Sequence, residues 1–265
     1  MQVETKTLKT NDKESIRVNA VIVCNGTNTK LDFHAPILGV AMCEWVGKAF
    51  EGYPITYCLD YKDYIQIAKD YCGNFDYTAV VGGNMPLLTH DDITQLIQYA
   101  IFKRANLVKF VGGYVFNNNY LKNTQNPQVD NVYTGDMEHY YLVENKRQLN
   151  QISKMLAQNI AEYHMSQGVE ILGKVTIEPN VEIESGATIF GGNTIKGYSY
   201  ISSGAIIKEN NVIDNSYVGK DSFVSYSVLT NARIGDNCIV MPFCNIENTT
   251  IASNTTIESN TNLSK

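Results

Sequence analysis

The sequence predicts an α/β domain with a mostly parallel sheet, followed by a parallel β-helix of hexapeptide repeats. Three observations predict it. Short apolar runs alternate with helical patterns in the first half of the chain. Isoleucine then recurs every six residues, at Ile171, Ile177, Ile183, Ile189, Ile195, Ile201, Ile207 and Ile213. A small residue stands two places before most of these large ones, as in Ala187, Ser199 and Ala205.

In the first half, Asn19–Cys24 (NAVIVC) is a continuous apolar run, the pattern of a strand buried on both faces. The polar turn Asn25-Gly26-Thr27-Asn28 follows it. Met42–Phe50 reads as helix, Pro54–Leu59 as strand, Lys62–Tyr71 as helix and Tyr77–Val81 as strand. Thr89–Ala105 is helical: Thr89 suits the N-cap, Asp91 and Asp92 the first turn, Lys103 and Arg104 the last. Asn106–Phe116 is strand again, interrupted by Gly112-Gly113. Helices between strands imply a sheet covered on both faces, which binds ligands at the carboxyl ends of its strands. That rule points to Asn25–Lys30 and to Gly82–Pro86. Two readings stand for each: a phosphate loop or an ordinary strand-to-helix turn for the first, a sugar or metal contact or a structural turn for the second.

Leu149, Ile152, Met155, Leu156, Ile160 and Tyr163 share one helical face between Gln148 and Met165, and Gly168 ends the helix. Its expected role is to cap the open end of the repeat. The repeat itself has a period that neither helix nor long strand produces. Each six residues make a short strand and a turn, and three units close a triangular coil, giving about five coils at ~18 residues each. After Ile213 the large positions are read as Val218, Val224, Val228, Ile234, Val240, Ile246, Ile251, Ile257 and Leu263. Cys238 and Cys244 fall at the small position and read as core residues on adjacent faces. Asn193, Asn211 and Tyr226 break the small-residue rule; the two asparagines, eighteen apart, should stack and hydrogen-bond. Phe190, Tyr198, Tyr200, Phe223 and Phe243 fall off the inward positions, where a partner could meet them. The expected organisation is an N-terminal extension (1–18), a shortened α/β domain (19–147), a connecting and capping helix (148–167) and the β-helix (168–265).

Composition excludes several classes. With 21 Lys+Arg against 27 Asp+Glu, the net charge is -6, which argues against a broad nucleic-acid footprint. No apolar stretch is long enough to span a bilayer, and the charged N-terminus does not read as a signal peptide. Six cysteines without a CxxC spacing read as free thiols, so the expected location is the cytoplasm, with no membrane partner. None of the four histidines, His34, His90, His139 and His164, lies in the repeat, which disfavours acyl transfer by a β-helix histidine. The first three read as surface or capping residues.

Several segments, in order, resemble the bifunctional N-acetylglucosamine-1-phosphate uridyltransferase / glucosamine-1-phosphate acetyltransferase family, and more broadly the sugar-nucleotide pyrophosphorylases. They are VIVCNGTNTK (Val21–Lys30), PIL and MCEWV (Pro36–Val46), GGNMPLLT (Gly82–Thr89), GGYVF (Gly112–Phe116), VENKRQLNQ (Val143–Gln151), HMSQGVEI (His164–Ile171) and SVLTNARIGDNCIVMPF (Ser227–Phe243). The resemblance implies a Rossmann-like nucleotidyltransferase-type domain and a left-handed β-helix that assembles as a homotrimer. It implies nucleotide or phosphate contacts at Asn25, Gly26, Thr27 and Lys30, and sugar or metal contacts at Gly83, Asn84 and Asn145. It also implies magnesium, if any transfer of uridylate from UTP to N-acetylglucosamine-1-phosphate survives.

The departures bear on that activity. Of a GxGTRM-type loop only Gly26 and Thr27 stand, with Lys30 the nearby cation. Ile37 follows Pro36 where the family has Lys, and Asn84 replaces a magnesium-holding Asp. Losing cations and a metal ligand together removes the charge stabilisation that phosphoryl chemistry needs. The sequence also ends before the coils that would carry the family's acetyl-transfer site. The expectation is a truncated, motif-degenerate relative with impaired catalysis, a pseudoenzyme that binds nucleotide or sugar phosphate at most; the rival is a non-catalytic trimeric scaffold or regulatory protein.

Overall fold

A computed structural model describes residues 16–25, 31–59, 63–136 and 138–264. The expected N-terminal extension therefore lies largely outside the described residues, as do Gly26, Thr27 and Lys30. The chain divides into two compact units, Met1–Ile152 and Ser153–Lys265.

The first unit is Rossmann-like. In chain order it holds β1 (Val18–Val23), β2 (Pro36–Ile37), β3 (Val40–Ala41), α1 (Met42–Ala49), β4 (Ile55–Cys58), α2 (Tyr64–Tyr71), β5 (Tyr77–Gly82), α3 (His90–Phe102), β6 (Leu107–Phe110), β7 (Gly113–Asn117), α4 (Asn118–Asn123), β8 (Asn131–Val132) and the start of α5 (Lys146–Ser166). The main sheet runs β4-β1-β5-β7-β6-β8. Every residue of β1 and β5 is buried, as continuous apolar runs require. Val21, Val23 and Val80 pack with Ile67 and Ala68 of α2 and Leu121 of α4. Ala20 and Ile22, of the other parity, are equally buried; α1 packs on β1 and against α3.

Two expectations need correction. The single strand at Asn106–Phe116 is a hairpin of β6 and β7, and β7 runs antiparallel to β5, so the sheet is mixed. The glycine pair makes the hairpin: Gly112 has φ +77, and a Cβ on Gly113 would lie 2.4 Å from the Val80 carbonyl oxygen. α3 is capped as expected, with Thr89 and Asp92 in a reciprocal capping box, but it stops at Phe102 with Lys103 as C-cap.

The second unit contains the rest of α5 and a parallel β-solenoid of about five turns, the arrangement of a left-handed β-helix. Its strands stack into three parallel sheets. One interior column is Ile177, Ile195, Ile213, Leu229, Ile246 and Leu263, paired level by level. Here the expected register is wrong by one residue. Leu229 is fully buried, while Val228 is 40% exposed. The slip also removes the Tyr226 anomaly. Ser227 occupies the small inward position at 2% exposure, and Tyr226 sits at a corner with φ 45.

The asparagine pair stacks as expected. Asn211 Nδ2 donates to Asn193 Oδ1 at 3.0 Å, and both side chains are buried. The column continues downward: the Ser227 amide donates to Asn211 Oδ1 at 2.8 Å, and the Cys244 amide to Ser227 Oγ at 3.0 Å. At the other corners the Ser216 amide donates to Ser199 Oγ, the Ala232 amide to Ser216 Oγ and the Cys238 amide to Ser222 Oγ. Small polar residues stand inside because each accepts an amide that the corner geometry leaves without a strand partner. Cys238 and Cys244 are buried free thiols in these columns. Ile160 and Ala161 of α5 pack against the core of the solenoid.

Candidate functional site

In the first unit β1 lies between β4 on one side and β5 on the other. The chain thus reverses its winding between β1 and β5, and the carboxyl ends of those strands form the crevice where open α/β sheets bind ligands. Val23 and Gly82 are register partners there. The described residues that leave this edge are Cys24 and Asn25 after β1, and Gly83 and Asn84 after β5.

Gly83 is held by its backbone: its amide donates to the Val23 carbonyl at 2.8 Å. A Cβ at Gly83 would lie 2.8 Å from Cys43 Cβ and 2.9 Å from the Val23 oxygen, so only glycine permits this approach of β5, β1 and α1. Asn84 is 8% exposed. Its Nδ2 donates to the Val143 carbonyl at 3.1 Å, and the Val143 amide donates back to the Asn84 carbonyl at 2.8 Å. Two residues further, Asn145 caps α5. Its Oδ1 accepts from the Gln148 amide at 3.0 Å, and its Nδ2 donates to Gln148 Oε1, which also accepts the Glu144 amide. Asn25 is exposed. Both the Asn84 and Asn145 amides are thus engaged as braces, and neither position supplies a carboxylate. That donor set does not fit magnesium, which binds through carboxylates and phosphate oxygens.

Beside Gly83 lies a cluster of a different kind. Cys24 follows β1, Cys43 occupies the first turn of α1, and His34 lies on the segment between them. Their ligating atoms all fall within 4.8 Å of one another. Backbone bonds hold the segment in place: the Met42 amide donates to the Ala35 carbonyl and the Cys43 amide to the Phe33 carbonyl. The Asp32 carboxylate accepts from the His34 amide at 2.9 Å and lies 3.3 Å from its Nδ1. Both thiols are buried, and the Cys24 thiol donates to the Ile22 carbonyl at 3.6 Å. The neighbouring Cys24 thiol holds the Cys43 thiol down, against burial, with His34 assisting. Cys43 in turn pushes the Cys24 thiol up, and burial adds to the effect.

A separate cleft of about 620 Å³ opens at the opposite, amino-terminal end of β5, lined by Arg17, Asp76, Asn117 and Lys122 among others. Arg17 there pairs with Asp76 at 3.6 Å, and the Lys122 ammonium donates to the Gly73 carbonyl at 2.7 Å. These cations are spent on structure.

No protein-family model matches this chain, and no curated protein matches it. Among solved structures it is similar to a CMP:2-keto-3-deoxy-manno-octonic acid synthetase complexed with CTP, at 11% sequence identity. The match covers 54% of this chain and 99% of that chain, with a TM-score of 0.43. A superposition at that level carries no argument about this site.

The sequence brings Asn25, Gly83 and Asn84 to one edge of the sheet, as the strand-end rule requires. It does not bring out the Cys24–His34–Cys43 cluster. The available signal was positional: the first residue after a central strand and the first turn of the next helix converge in any βα unit.

Proposed function

We propose that the first unit is a sugar-nucleotide pyrophosphorylase-like domain, of the UDP-N-acetylglucosamine type, that has lost efficient nucleotidyl transfer. It retains weak binding of a nucleotide or sugar phosphate at the β1/β5 edge. One observation carries this reading. The switch-point crevice is built, yet the described residues that leave its two strand ends, Cys24, Asn25, Gly83 and Asn84, include neither a cation nor a carboxylate. Transfer from a triphosphate needs both, to neutralise the leaving pyrophosphate and to hold its metal. Binding needs only backbone amides and hydrogen-bonding side chains.

The test is thermal unfolding with UTP, UDP-N-acetylglucosamine and UTP plus magnesium, with a pyrophosphate-release assay in parallel. The expected result is a rise of a few degrees in melting temperature without turnover, as mass action on a weak site gives. No shift at millimolar ligand would remove the nucleotide reading. Steady pyrophosphate release would show that the substitutions at Ile37 and Asn84 are not disabling.

The rival reading, a trimeric scaffold, draws on the outside of the solenoid. Tyr198 is 81% exposed and Phe243 68%, and Ile206 and Ile239 also face outward. Tyr200 stacks on Tyr217 with centroids 5.5 Å apart, and the Arg233 guanidinium lies 4.1 Å over the Tyr217 ring. We propose that these sides pair in a homotrimer, located in the cytoplasm. Light scattering on the full chain should give three times the monomer mass of 29.6 kDa; a monomer at micromolar concentration would remove the scaffold. Among the described residues no helix is long and apolar enough to cross a membrane.

A further inference from the structure

We propose that Cys24, His34 and Cys43 form a binding site for a borderline-soft divalent cation, zinc above all, with two thiolates, one imidazole and an open fourth position.

The donors fit the ion. Thiolate and imidazole suit zinc, whereas hard cations take oxygen. The three ligand atoms come from three consecutive pieces of one βα unit and already lie within 4.8 Å of one another. With bond lengths of about 2.3 Å to sulfur and 2.0 Å to nitrogen, the edges of a tetrahedron are about 3.5–3.8 Å, so the cluster needs to contract by only about 1 Å. His34 can supply that movement. It is solvent-exposed, whereas Cys24 and Cys43 are fixed in the core.

The surroundings fit as well. A metal-bound histidine commonly donates its other ring N–H to a carboxylate, which fixes the tautomer and strengthens the ligand. Asp32 stands 3.3 Å from His34 Nδ1 and also accepts the His34 amide, so the carboxylate is itself positioned. Nε2 is then the ligand atom. Gly83, with no room for a Cβ beside Cys43, keeps the sulfur close to the sheet edge. Three protein ligands with one position open is the pattern of a zinc site that takes water or an exogenous anion, as opposed to a closed structural site. Binding is a simple exchange: the cation enters, thiol protons leave to solvent, and no oxidant or reductant is consumed.

The experiment uses the full chain, purified reduced and stripped of metal. Titration with cobalt(II) should give one equivalent bound, with thiolate-to-metal charge-transfer bands and the strong ligand-field bands of tetrahedral cobalt. Zinc should displace it. His34→Ala, a substitution at an exposed side chain, should weaken binding about 10–100-fold, and Asp32→Asn by about 10-fold, the range seen for outer partners of metal ligands. Cys24→Ser and Cys43→Ser should each remove part of the charge-transfer intensity, and the double variant should remove all of it. Cys58→Ser, at the neighbouring strand end, should leave the spectrum unchanged. The proposal is overturned if the stripped protein binds no cobalt or zinc. It is equally overturned if the cysteine double variant binds as tightly as the parent, or if His34→Ala, with its far-UV spectrum intact, leaves the affinity unchanged.

Discussion

Replacing Leu229 by alanine is expected to destabilise the solenoid by about 3–5 kcal/mol, while Val228→Ala should change it by no more than about 0.5 kcal/mol. The two residues are adjacent and both aliphatic, so only the register separates them. Leu229 pairs with Ile213 in the coil before and Ile246 in the coil after, and no part of it reaches solvent. Truncating it leaves a cavity in a column closed above and below by other large side chains, and a stacked repeat cannot collapse sideways to fill it. Val228 points outward beside it. Urea or thermal unfolding of the two variants, read by the β signal, decides the matter. Equal effects, or a larger one at Val228, would mean that the coil containing Ser227 is threaded one residue away from the register described above.

The second large effect is expected at Asn211. Its Nδ2 donates to Asn193 Oδ1 at 3.0 Å and to the Lys208 carbonyl at 2.7 Å, and its Oδ1 accepts the Ser227 amide at 2.8 Å. Asn211→Ala strands the Ser227 amide in an interior that water does not reach, whereas the Lys208 carbonyl keeps a bond from Asn193 Nδ2 at 2.7 Å. One orphaned group costs about 1–3 kcal/mol, and the lost volume adds to it, so a total of about 2–4 kcal/mol is expected. Asn211→Ser should recover part of this, because a serine already does the same work one level on, where Ser227 Oγ accepts the Cys244 amide. The check is unfolding stability together with hydrogen exchange at the Ser227 amide. A loss below about 1 kcal/mol in the alanine variant would show that the ladder is incidental to stability.

The parts of the fold that were legible in the sequence are those fixed by local rules. β1 and β5 are apolar except for Asn19 and Thr78, which bond to each other, because both faces are covered, and α3 announces its start through Thr89 and Asp92. The solenoid announces itself because every large inward residue must recur once per strand. What local rules miss are features decided by contacts elsewhere. The two-residue strands β2, β3 and β8 have no periodicity to read. At Ser227–Thr230 the coil shortens, and two neighbouring aliphatic residues satisfy a hydrophobic count equally well. Only the stack above and below chooses Leu229. The site divides in the same way. Strand-end logic finds Gly83 and Asn84, but the roles seen are a close backbone approach and a brace to Val143. The Cys24–His34–Cys43 cluster follows no motif spacing, since its members meet through the βα crossover and the β2–β3 hairpin.

The polar columns inside the solenoid also give it a direction. In its upper coils, amide and hydroxyl side chains lace each level to the next, and the large residues beside them are sealed from solvent. Lower down, thiols take over the same positions: Cys238 and Cys244 reach the Ala252 and Glu258 carbonyls at 3.1 Å. A thiol is a weaker donor than an amide or hydroxyl. Below them Ile257 and Leu263 are only partly covered. The solenoid is thus a rod of graded stiffness, tight beside its helix and looser toward Leu263. Thermal opening should start at the loose end and run back toward the asparagine pair, which acts as the stop.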